Sequence, residues 1–200
     1  DLDSIIAQQP APITISTEGA NQSSPVGRCV DRAGNTVAGI VPGISIDYTL
    51  PTVAFSGNAG TYDMMQTVNI TCSATDALSG IAAQDCPAVS APAYTLGGGT
   101  RLLTASATDR AGNSATASTS FTVVVSFDGL CALTQRFVTK PGVANALCEK
   151  LSAAADAAAR GNDRATHGPL GAYVNQLRAQ AGKSLSASEA ALLERLVAGL

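Results

Sequence analysis

Apolar and polar positions alternate along three stretches in the first part of the chain. Residues 67–74, 101–107 and 117–125 each place Val, Ile, Leu, Phe or Ala at or near every second position and are bounded by Gly, Asp or Asn. That period, with turn residues at its ends, predicts half-buried β-strands. After Val125 the period changes. Leu130, Leu133, Phe137 and Val138 form a helical stripe, and Pro141 stands where a second helix would begin, with Gly161-Asn162 at its end. A third helix carries Leu170, Tyr173, Val174 and Leu177 and stops at Gly182. Ser186-Ala187-Ser188-Glu189 reads as a capping box before a fourth stripe of Leu192, Leu193, Leu196 and Val197. The expected chain is multidomain, all-β and then all-α, with a small four-helix bundle at the end.

The strand-rich part contains an internal repeat. Val30-Asp31-Arg32-Ala33-Gly34-Asn35 recurs as Thr108-Asp109-Arg110-Ala111-Gly112-Asn113, 78 residues on. Asp-Arg-Ala-Gly-Asn suits a hairpin loop, because Asp accepts from the following amides and Gly and Asn tolerate positive φ. A period of that length matches one β-sandwich, so residues 47–125 read as one complete copy. Residues 1–46 then read as the closing strands of a truncated preceding copy. Half a module exposes strand edges and buries little, so residues 1–20 are expected to be poorly ordered or to borrow contacts from elsewhere. Gly97-Gly98-Gly99 precedes a strand and reads as a hairpin turn.

Three phrases carry a family resemblance: Ile46-Asp47-Tyr48-Thr49-Leu50-Pro51-Thr52, Ala74-Thr75-Asp76 and Ala107-Thr108-Asp109-Arg110-Ala111-Gly112-Asn113. They resemble bacterial immunoglobulin-like repeats, the HYR-like kind included, over roughly residues 15–125. The resemblance implies a seven-strand immunoglobulin-like β-sandwich, arrayed in tandem on secreted enzymes and adhesins as a stalk or binding arm. Farther on, Leu147-Cys148-Glu149-Lys150-Leu151, Arg160-Gly161-Asn162, Val174-Asn175-Gln176 and Gly182-Lys183 are similar to the FIMAH domain, over about residues 127–198. That likeness implies a small helical module at the C-terminus of a secreted bacterial protein, and it brings no established catalytic residue. The expected organisation is therefore a truncated repeat (1–46), a sandwich (47–125) and a FIMAH-like helical domain (126–200).

Composition narrows the function. The net charge is -3, charged residues make up 14% and no Lys/Arg cluster forms a phosphate-binding stripe, so nucleic acid is not an expected partner. No run of 18 apolar residues predicts a membrane span. The chain opens on Asp with no basic-then-apolar leader, and a mature segment with its signal peptide and earlier domains upstream is expected. Aromatics are 4% and Trp is absent, so the cores must be thin. The five cysteines lack CxxC spacing, which disfavours zinc. Cys72 and Cys86 fall in one expected domain, Cys131 and Cys148 in the other, and Cys29 is left over. Two intradomain disulfides and a secreted or cell-surface location follow; buried free thiols are the alternative.

Candidate chemistry is sparse. Asp31, Asp47, Asp76 and Asp109 stand at the repeat junction or in loops. In related adhesin repeats such carboxylates hold Ca²⁺ between neighbours, and two or three of them with loop carbonyls and water satisfy its demand for six to eight oxygens. The alternative is that each Asp simply caps a turn. Aligned without gaps, Asp47 corresponds to Val125, where no further repeat follows; a gap of three residues would match it to Asp128 instead. The one histidine, His167, is expected in an exposed loop between helices, and no nucleophile elbow, HExxH helix, P-loop or dinucleotide fingerprint is present. The expected protein is not an enzyme. It is a stalk or adhesive arm whose partners are neighbouring domains and an extracellular protein or carbohydrate; the alternative is the accessory tail of a secreted hydrolase.

Overall fold

The structure, a computed structural model, describes residues 6–200. The portion of the expectation for residues 1–20 that concerns residues 1–5 lies outside the described residues. Among the described residues, twelve strands precede or flank a short helix, and four longer helices follow. Strands and helices occur in similar amounts, about 36% and 32% of the chain, so the protein is neither purely β nor purely α. None of the sheets among the described residues is closed.

The contacts divide the chain into two compact units: Asp1–Ala54 with Cys72–Cys86 and Ala105–Ala117, and Phe55–Thr71 with Pro87–Thr104 and Ser118–Leu200. These units do not coincide with the change of composition after Val125. Long strands run through more than one stretch, and compactness follows contacts rather than composition.

The first unit contains β1 (Ile6–Gln8), β2 (Gly19–Gln22), β3 (Gly27–Asp31), β4 (Thr36–Gly39) and β5 (Ile44–Ile46). β1, β3 and β4 form one antiparallel sheet and β2 pairs with β5. Residues 6–22 therefore include two paired strands rather than only loose chain, and the contacts they borrow come from β3 and β5. The internal repeat is reproduced in detail. Asp31 donates its amide to the Asn35 carbonyl at 3.0 Å, and Asp109 does the same to Asn113 at 3.0 Å. Gly34 and Gly112 take φ of 88° and 94°, the left-handed conformation that glycine adopts without a Cβ penalty. Burial differs between the copies. Ala105 and Ala107 are buried, whereas Gly27 and Cys29, 78 residues before them, are only half-buried and Val37 is 67% exposed.

Seven more strands follow: β6 (Thr52–Ser56), β7 (Thr61–Asp63), β8 (Thr67–Thr75), β9 (Ile81–Asp85), β10 (Val89–Pro92), β11 (Gly99–Asp109) and β12 (Ser114–Val124). They form two sheets, in the orders β10-β8-β6 and β7-β12-β11-β9, with β7 parallel to β12. Burial along the start of β8 alternates, with Val68 and Ile70 buried and Thr67 and Asn69 exposed, as the pleat requires. Gly97–Gly99 is not a hairpin turn. β10 and β11 belong to different sheets, and the short helix α1 (Ala93–Leu96) lies between them. The glycines end that helix, so a two-residue hairpin geometry does not arise.

In the second unit the strand ends and four helices share one apolar cluster. Tyr62, Val68, Ile70, Phe121 and Val123 join Leu130, Leu147, Leu177, Leu193 and Leu196 in it. The helices are α2 (Phe127–Phe137), α3 (Pro141–Ala159), α4 (Asp163–Gln180) and α5 (Ala187–Val197). Their starts follow from local chemistry. Ser126 caps α2 by accepting from the Gly129 amide at 3.1 Å, Pro141 begins α3, and Asn162 caps α4 through the Ala165 amide at 3.0 Å. At α5, Ser186 accepts from the Glu189 amide while Glu189 accepts from the Ser186 amide at 2.7 Å, a complete capping box. Inside, the Thr134 hydroxyl donates to the Leu130 carbonyl at 2.7 Å. That spends its only proton, so the fully buried Tyr173 donates to Thr134 Oγ1 at 2.6 Å. Burial raises the Tyr173 phenol to about 12, so the group stays a neutral donor.

Two disulfides reinforce these thin cores. Cys72 joins Cys86 across 14 positions and Cys131 joins Cys148 across 17; Cys29 is free. Replacing Cys131 and Cys148 by Ser is expected to cost about 3 kcal/mol, the chain-entropy value for a loop of roughly this length, measured by urea denaturation. Gly57 has φ 80°, and a Cβ there would lie 2.5 Å from the Asn69 carbonyl oxygen. Gly57→Ala should therefore destabilise by at least about 1–3 kcal/mol, whereas Tyr173→Phe should cost only about 1 kcal/mol.

Candidate functional site

The carboxylates of Asp47, Asp76 and Asp109 meet in the first unit, each offering an oxygen within 4.8 Å of the others. Three separate segments deliver them. Asp47 follows β5, Asp76 follows β8, and Asp109 ends β11. Each position is prepared by its own turn, because an Asp accepting from amides two to four residues on holds the chain bent.

Asp76 Oδ1 accepts from the amides of Leu78 at 3.2 Å, Ser79 at 2.9 Å and Gly80 at 2.7 Å. These donors, the Gly80 amide foremost, hold its carboxyl below the usual carboxylate range against the opposing effect of burial. Asp109 is 1% exposed, and its two oxygens accept from the Asn113 amide and side-chain amide, both at 2.8 Å. Asp47 Oδ1 accepts from the Thr49 amide at 2.9 Å.

Further bonds connect the segments. Asp47 Oδ2 accepts from the Ser79 amide at 3.0 Å, 32 residues away. The Asp47 carbonyl accepts from Asn113 Nδ2 at 3.1 Å, 66 residues away. Asn113 thus binds its own hairpin and the junction at once. Glu18 completes the joint: its Oε1 accepts from the Thr49 hydroxyl at 2.6 Å and the amides of Tyr48 and Thr49 at 3.0 and 2.9 Å. The Thr49 hydroxyl and then the Tyr48 amide hold the Glu18 carboxyl low.

Asp31 is not part of this group. Its carboxylate serves its own hairpin, accepting from the Ala33 and Asn35 amides at 2.9 and 2.8 Å and from Asn35 Nδ2 at 2.7 Å. Asn35 foremost keeps that carboxyl low. Asp31 and Asp109 therefore share a turn geometry, but only Asp109 meets two other acids. Glu18, Ser79 and Asn113 were not among the expected site residues. No motif marks Glu18 in a Thr-rich stretch, and Asn113 looks like a plain turn residue until the fold brings Asp47 to it.

A cation finds suitable chemistry here. The cluster offers hard oxygens only, and Asp76 Oδ2 is buried with no hydrogen-bond donor among the described residues. An acceptor in that position is costly unless something compensates it. The Asp47 and Asp109 oxygens each receive one N–H and keep a further lone pair, whereas Asp76 Oδ1 is fully taken up by the Leu78, Ser79 and Gly80 amides. The residues fit Ca²⁺, whose remaining coordination would come from carbonyls and water. A cleft of 340 Å³ lies beside the group, with Asp47, Ser79 and Arg110 on its wall.

His167 is exposed but lies within α4 rather than in a loop, because the Asn162 cap starts the helix before it. No protein-family model matches the chain, and no curated protein matches it.

The lowered carboxyls of Asp31, Asp76 and Glu18 fix the sign of an acid effect. Each stabilises while ionised, so the contribution is complete above the ordinary carboxylate pKa of about 4 and is lost as pH falls below it. Carbon-detected NMR titration should place the Asp76 Cγ transition below that of an unstructured Asp, and acid should loosen the Leu78–Gly80 turn.

Proposed function

We propose that the protein is a non-catalytic extracellular spacer, a stalk or adhesive arm. In this reading an immunoglobulin-like sandwich (47–125) follows the closing strands of another repeat (1–46) and precedes a FIMAH-like four-helix bundle (126–200). The observation that carries the proposal is the interlocked joint. The link from β5 to β6 is held both by Glu18 and by the Ser79 and Asn113 loops. A spacer needs links that resist bending, and bonds spanning 31 to 66 residues give that stiffness.

Two disulfides, and no helix among the described residues long and apolar enough to cross a membrane, are consistent with a secreted protein. The neighbouring domains of the chain are the first partners of such a module, and an extracellular protein or carbohydrate is the ligand class for an adhesive arm. Ca²⁺ at Asp47, Asp76 and Asp109 would neutralise three converging carboxylates and stiffen the same link.

Calorimetry and thermal melts test the cation. Ca²⁺ is expected to bind and raise the melting temperature, by an amount equivalent to about 2.7 kcal/mol at a hundredfold excess over Kd. Asp76→Asn should abolish the response, and Asp31→Asn, outside the cluster, should retain it. An unchanged melt in the parent protein removes the cation from the proposal. Glu18→Ala tests the joint separately: hydrogen exchange at the Tyr48 and Thr49 amides should accelerate without global unfolding. Turnover of ester, glycoside or peptide substrates that His167→Ala or Asp76→Asn eliminates would overturn the non-catalytic assignment.

A further inference from the structure

We draw no further inference here: the strongest candidate, the half-buried Cys29 thiol on the open apolar face of β3 and β4 beside Val37 and Ile40, is a lone cysteine on a face that nothing in the structure shows to be covered.

Discussion

Asp47 accepts one hydrogen bond through its side chain from Ser79 and another through its carbonyl from Asn113. Those two contacts tie three segments, distant in sequence, to a single point. The arrangement rests on turns that are each held by their own carboxylate. Asp76 gathers the amides of residues 78–80 onto one oxygen, and Asp109 clasps both nitrogens of Asn113. A flexible loop would lose conformational entropy on docking, which can offset the gain from a hydrogen bond. A turn held by its own carboxylate has already lost that freedom.

The same economy of means appears in the cores. Without Trp and with few aromatics, the first unit buries small side chains such as Ala105 and Ala107. It relies on carboxylate-to-amide bonds and on the Cys72–Cys86 link. The second unit has larger groups, with Tyr62 edge-on to Phe121 and Tyr94 edge-on to Phe137. Its four longer helices do not stand on a separate core, because their leucines continue the cluster begun by Val68, Ile70 and Phe121. Cys131–Cys148 staples α2 to the Ala-rich α3. The buried Tyr173–Thr134 bond adds a directional contact to a largely apolar interior.

Much of the local structure was legible in the sequence because its causes are local. Periodicity indicated the strands around Val68 and Phe121, and Pro141 and the Ser186–Glu189 capping box indicated where α3 and α5 begin. The Asp-Arg-Ala-Gly-Asn phrase specified both hairpin loops, since Asp, Gly and Asn each answer a requirement inside the turn itself. Where local cues compete, legibility falls. Gly97–Gly99 carries the composition of a hairpin turn, yet its flanking strands enter different sheets. Asp163–Gln180 contains Gly168 and Pro169, yet the Asn162 cap and burial of Tyr173 and Leu177 keep it helical.

By itself, then, the sequence determined the change from strands to helices after Val125 and the turns whose stabilising bonds span five residues or fewer. Only the tertiary structure decided that Asp109 would join Asp47 and Asp76 while Asp31, in the same turn motif, would not. It also decided that Glu18 would hold the link and that the helices would share a core with the strand ends. The physical reason is sequence separation. A bond across four residues is written into a motif, whereas one across 30 or 66 exists only after the sheets have set which loops come together.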